Sequence, residues 1–273
     1  MDDRPQRNSG LPVPPAQPFD GPQRQDAAGR SGLDDSDRGG DGVLGFLRRR
    51  LMSVALFLLI ASGVLVQAWR DLSRPDAWDY WKDLYSTPSM TSQVVTHVEL
   101  DGSRRNALAL RGRIGPAAAS WFRERLDEAG LKPGDLVLLS SPGGNLDQSL
   151  IMGEMIRARG LVTAVGTSDG STEVRPGSCA SACVFVYAGG IARYDIAGSR
   201  LGVHRFTARG PGSSDPVADT QRVTGLVLSY LKRMGVSASL VEAMSATAEI
   251  SWLDARQAAE MNLVTVQAGR PRG

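Results

Sequence analysis

Ser181 stands inside GSCASACVFVYAGG, residues 177–190, where small side chains crowd around a hydroxyl and an apolar run follows. A serine just ahead of a helix can cap that helix, or it can offer its hydroxyl to a groove that small neighbours leave open. His204 comes 23 residues later, in the apolar strand SRLGVHRF of residues 199–206. An imidazole within reach of a serine hydroxyl can take its proton and make it a nucleophile. The third signal precedes both. In LLSSPGGNLDQSLIMGEMI, residues 138–156, an apolar strand runs into Ser141-Pro142-Gly143-Gly144 and then a helix. A glycine pair at such a turn lets the backbone approach a ligand closely, and N–H groups at a helix start suit a developing negative charge. Each signal is common alone, but together they outline a nucleophile, a base and an anion-binding turn.

Other chemistries find less support. Lysine is scarce: Lys82, Lys132 and Lys232 are the only three among 31 basic residues, and none adjoins these motifs. That disfavours a lysine base. The two histidines, His97 and His204, leave little for a histidine metal cage, and two cysteines exclude a four-thiolate zinc site. No metal and no cofactor is therefore expected. His97 lies in an early strand without a neighbouring glycine or serine motif and reads as structural. A net charge of +2 offers no basic stripe, so no nucleic-acid partner is expected. Cys179 and Cys183 flank Ser181 two residues away on either side. They form either a disulfide bracing the nucleophile turn or a pair of small buried thiols.

The elements that must hold these residues occupy roughly residues 93–273. VVTHVEL and NALALRG read as strands joined at Asp101-Gly102-Ser103. Residues 116–130 have helical periodicity with Pro at the start and Gly at the end. DLVLLS, LVTAVGT and RLGVHRF are further strands. Helices are expected over 145–160, from 181 to 189, over 219–234 and over 237–246. Strands alternating with helices predict an α/β domain, a mostly parallel sheet with helices covering both faces. Two loops, 168–177 and 207–219, read as surface insertions, and the second also suits a flap beside His204.

Ahead of this domain the chain changes character twice. Residues 1–47 are rich in Pro, Gly, Asp, Arg and Gln without apolar periodicity, which reads as a disordered tail. The stretch 48–69 opens with Arg48-Arg49-Arg50 and continues through 19 uncharged residues, Leu51 to Trp69. This predicts one transmembrane helix, and the basic triplet places the tail in the cytoplasm and the domain outside it. Val66-Gln67-Ala68 loosely resembles a signal cleavage site, but the preceding tail is far longer than an ordinary n-region. Residues 70–92 hold Trp78, Tyr80, Trp81 and Tyr85, read either as a headgroup-level aromatic belt or as a stalk packing on the domain.

Taken together, SPGG, CASAC, LGVHRF and the late WLDARQAAEMNLVT resemble the ClpP-like branch of the ClpP/crotonase superfamily, in particular its membrane-linked periplasmic bacterial members. The resemblance covers about Leu108 to Val264. It implies a ClpP/crotonase-like fold and a serine peptidase acting on peptide or protein substrates, with a homo-oligomer left open. By position it makes Ser181 the nucleophile and His204 the base, with Gly143 or Gly144 and the backbone N–H of Ala182 binding the oxyanion. The family acid lies a few residues before an aromatic–Leu pair, here Trp252-Leu253, which points to Glu249 first and Asp254 second. Serine–lysine relatives are disfavoured by the lysine placement, and acyl-CoA chemistry by a periplasmic setting. That setting has no ATP supply, so unfoldase-driven proteolysis is not expected. The alternative is a catalytically inactive ClpP-like module that binds peptides or partners at the membrane.

Overall fold

A computed structural model describes residues 41–73, 77–206 and 215–267. The tail as far as residue 40, and most of the expected flap, lie outside the described residues. Helix α1 runs over Asp41–Leu72, beginning ahead of the arginine triplet and continuing past Trp69. Within Phe46–Leu72 an 18-residue window has mean hydropathy 2.3, and none of that window is buried. At 1.5 Å per residue, 27 residues reach about 40 Å, enough to cross a bilayer's hydrocarbon core.

The expected stalk is a short helix, α2 (Ala77–Trp81), that passes into a π-helical turn over Lys82–Ser86. It packs on the domain. Leu84 joins the apolar core, and the Tyr80 hydroxyl and Ser120 Oγ hydrogen-bond at 3.1 Å. Trp78, Trp81 and Tyr85 stay exposed, and the last two stack.

Strands β1 (Met90–Leu100) and β2 (Ser103–Gly112) form the expected hairpin. Asp101 and Gly102 both take positive φ at its turn, as a two-residue connection between twisted strands requires. A bulge between Val95 and Val98 interrupts the register, and His97 sits there at φ 59° with its side chain exposed. The other elements follow as α3 (Ala118–Ala129), β3 (Leu136–Ser140), α4 (Leu146–Ala158), β4 (Val162–Val165), β5 (Ser178–Ala180), α5 (Cys183–Ala188), β6 (Arg193–Asp195), β7 (Arg200–Val203), α6 (Pro216–Arg233), α7 (Ser239–Ser245), β8 (Ser251–Leu253), α8 (Ala255–Glu260) and β9 (Val266–Gln267).

The main sheet has strand order β1-β2-β3-β4-β6-β9 and is parallel from β2 onward. Side chains alternate along each strand, so the sheet feeds two cores. Leu108, Leu110, Val137, Leu139 and Val165 face a large core built with α3 to α8. Ala107, Ala109, Leu136, Leu138, Val162 and Ala164 face a smaller cluster closed by Val95, Val98, Leu100 and Tyr194 with Val174 and Ile196. This corrects one expectation. Helices do not cover both faces among the described residues, because the long, bulged β1 and the connecting loops shield the second face. A second sheet, β5-β7-β8, holds the site: β5 and β7 are parallel, β7 and β8 antiparallel.

Candidate active site

Ser181 occupies the turn between the end of β5 and the start of α5, with φ 56°. A left-handed conformation costs a non-glycine residue about 1–2 kcal/mol, so the surroundings must impose it. They do so on three sides. The Ser181 N–H donates to the Gly202 carbonyl at 2.9 Å, and its own carbonyl accepts from the Val184 N–H at 3.1 Å. Cys179 and Cys183 are joined as a disulfide that closes around the turn, with Cα atoms 5.3 Å apart. Of the two readings of this cysteine pair, the bonded one is realised.

The histidine arrives through strand pairing. Ala180 and Gly202 are register partners on the parallel β5 and β7, so the residues leaving both strands at the same end are neighbours. Ser181 Oγ and His204 Nε2 are 2.8 Å apart. His204 Nδ1 lies 2.7 Å from the Arg205 carbonyl oxygen. A carbonyl only accepts, so in the neutral ring Nδ1 carries the proton and Nε2 presents its lone pair to the serine hydroxyl. That is the tautomer a general base needs.

The expected acid is not brought to the ring. Glu249 is exposed, and among the described residues no hydrogen bond joins its carboxylate to His204. Its stretch is held instead by backbone contacts: Arg205 N–H donates to the Thr247 carbonyl, and Thr247 Oγ1 to the Glu249 carbonyl. The Nδ1 position that Glu249 was expected to fill belongs to the Arg205 carbonyl. Asp254, the second choice, is committed elsewhere. It caps α8, accepting from the Gln257 N–H at 2.7 Å while the Gln257 side chain accepts from the Asp254 N–H.

Gly143 lies directly against the serine turn, at φ 93°. A Cβ there would stand 2.8 Å from both Ser181 Cβ and Ala182 N, so only glycine permits this approach. Its N–H donates to the buried Ser141 Oγ at 3.1 Å. The neighbouring bridge to Ile114 uses the Gly143 carbonyl and the Asn145 N–H, leaving the Gly144 N–H outside it. Ala182 is the N-cap residue of α5, directly after Ser181.

Sequence reasoning missed the groups that hold α5 still. Six residues cannot satisfy their own terminal carbonyls. Here the Tyr230 hydroxyl donates to the Phe185 carbonyl at 2.7 Å, Thr163 Oγ1 to Tyr187, and Arg157 to Ala188. Burial pushes both the Tyr230 and Tyr187 phenols well above their ordinary range. Arg193, lowered to about 10 by burial, donates to the carbonyls of Gly190, Met234, Asn262 and Leu263. Isolated polar residues in apolar stretches, as Tyr230 is in LVLSYLKR, were the available signal.

The site thus joins a strained strand-to-helix serine, a correctly tautomerised histidine and a glycine-lined approach, on a mixed α/β fold. No family model and no curated protein matches the chain. Among solved structures it is similar to a mutant of the 1510-N membrane-bound stomatin-specific protease, at 17% identity and TM-score 0.44, over 59% of this chain and 77% of that one. It is also similar to ClpP1 from Listeria monocytogenes, at 16% identity and TM-score 0.45, over 59% of this chain and 89% of that one. Both scores lie below 0.5, and the chemistry stands on the chain's own geometry.

Proposed function

We propose that this chain is a ClpP-like serine peptidase, anchored in a bacterial inner membrane by a single helix and facing the periplasm. The observation that carries the reading is the Ser181–His204 pair: a serine at φ 56° whose Oγ is 2.8 Å from a ring nitrogen able to accept its proton. His204 Nε2 takes the hydroxyl proton as Ser181 Oγ attacks a peptide carbonyl. The Gly144 and Ala182 N–H groups hold the oxyanion, with Gly143 keeping the glycine turn against the serine. The imidazolium then protonates the leaving amine, and water repeats the sequence to release the acid and restore the serine.

In this reading the pair works as a dyad with a backbone brace. The Arg205 carbonyl orients the ring but carries no full negative charge to stabilise the imidazolium, so turnover is slower than with a buried carboxylate. The missing carboxylate is also what favours the second reading, a module that binds peptides without cleaving them. Residues 1–47 are assigned as a cytoplasmic tail, 48–69 as the core of the anchor, 70–92 as the juxtamembrane segment and 93–273 as the peptidase domain.

Hydrolysis of an unstructured peptide by the purified full chain tests the reading. Ser181→Ala and His204→Ala should each lower kcat by several orders of magnitude while the melting transition stays cooperative. Equal turnover by wild type and Ser181→Ala contradicts it. A wild-type chain that binds the peptide and never cleaves it selects the binding module.

A further inference from the structure

Asp83 takes no part in the chemistry above, yet it reaches the glycine turn through a short run of backbone. It sits in the π-helical turn between the apolar helix and the first strand and is 7% exposed. Its Oδ1 accepts the Ser89 N–H at 2.8 Å and its Oδ2 the Ala117 N–H at 3.0 Å. Gly115 packs so closely that a Cβ there would overlap the carboxylate. One residue back, Ile114 bridges to the glycine pair. Its N–H donates to the Gly143 carbonyl at 2.9 Å, and its carbonyl accepts from Asn145 N–H at 2.8 Å. That carbonyl also fills the space where a Cβ on Gly144 would go. Residues 114–117 are therefore clamped between Asp83 and the turn that carries Gly143 and Gly144.

We infer that Asp83 is a positioning residue: it fixes the 114–117 backbone on which the oxyanion-binding glycine turn is registered. The inference rests on the serine-peptidase reading. The two N–H groups meet different oxygens of the carboxylate, and an amide in the same place offers only one acceptor atom. Past the end of β2, a single bridge ties this backbone to the turn, so without Asp83 the donors lose their fixed distance to the developing oxyanion. The juxtamembrane segment thereby becomes part of the catalytic apparatus rather than a tether.

The test uses the full chain in detergent or nanodiscs with Asp83→Asn, which keeps the shape and removes one acceptor. The expected result is a kcat lower by about a hundredfold, as for a catalytic group displaced by an ångström. KM should stay within about twofold, because the defect lies in the transition state. In hydrogen exchange, the Ile114 and Asn145 amides should speed up while those of β3 and α4 keep their protection. Gly115→Ala, which displaces the carboxylate without removing it, should give the same signature. Tyr80→Phe, which removes the same segment's hydrogen bond to α3, should leave kcat unchanged. A folded Asp83→Asn variant with wild-type kcat and wild-type exchange overturns the inference. If neither variant folds, wild-type exchange decides: Ser89, Ala117, Ile114 and Asn145 amides opening in step support the clamp, and independent opening overturns it. A wild-type chain that cleaves nothing counts against the peptidase reading instead, and the exchange pattern still tests the clamp.

Discussion

At the scale of single residues, the reading turns on what His204 Nδ1 touches. The Arg205 carbonyl occupies that position at 2.7 Å, so neither nearby carboxylate is needed to set the tautomer. Glu249→Gln should then change kcat by less than about threefold, since it removes no contact to the reacting atoms. Asp254→Asn should lower stability by about 1 kcal/mol or less, because asparagine caps nearly as well, and should leave kcat per folded molecule unaltered. Kinetics with active-site titration, alongside thermal melts, separates the two effects. A large loss in Glu249→Gln would return the acid role to Glu249. Ser181 and His204 were legible in the chain because motif and neighbouring strand lie 23 residues apart, a spacing that parallel pairing of β5 and β7 converts into contact. The acid was not legible. Distance along the chain from Trp252 says nothing about which way a side chain turns, and a backbone carbonyl carries no sequence signature.

At the scale of elements, a three-residue strand and a six-residue helix are asked to hold a strained serine. Their own hydrogen bonds are too few, which is why the disulfide and the buried Tyr230 matter. Replacing both Cys179 and Cys183 with serine should slow peptide turnover at least tenfold, through loss of the imposed geometry. Global stability should change far less, because the bond closes so small a loop. Intact-mass analysis after alkylation of the native full chain extracted from membranes without reductant should find no free thiol; two alkylated cysteines would contradict the bond. Tyr230→Phe leaves the Phe185 carbonyl without this donor and should cost about 1–3 kcal/mol by denaturant titration. The long periodic elements α3 and α4 matched their expected spans closely, since amphipathic spacing and caps such as Asn145 and Gly130 mark them, whereas α6 begins at Pro216, three residues ahead of its expected start and inside the expected loop. The strands β5, β6, β8 and β9 hold two or three residues each, too few for a period to show.

At the scale of the whole molecule, the sequence divides into segments by composition, and the order of strands and helices predicts the mostly parallel sheet. What composition could not show is how the second face is closed, since that depends on the bulge at His97 and on loops without periodicity. A half-buried carboxylate bears on overall stability. Burial alone raises the Asp195 carboxyl above its ordinary value. A raised folded value means the native state binds the proton more tightly, so stability is fullest below the unfolded value and falls as pH rises through the folded one. Asp195→Asn should therefore melt higher than wild type at pH 7, and the difference should vanish below about pH 3.5. A gap that persists or widens in acid would contradict that sign. The apolar helix makes a separate claim. A periplasm-active reporter fused after Gly273 should work, and the same reporter fused ahead of Arg48 should not. The reverse pattern would invert the topology.

The central claim is that Ser181 is an activated nucleophile, and covalent capture tests it most directly. Purified full-length chain treated with a fluorophosphonate, then digested and mapped by mass spectrometry, should carry a single adduct on Ser181. His204→Ala should lose the adduct, while Glu249→Gln should label at close to the wild-type rate. An unlabelled wild-type chain, or an adduct on another serine that persists in Ser181→Ala, would contradict the account.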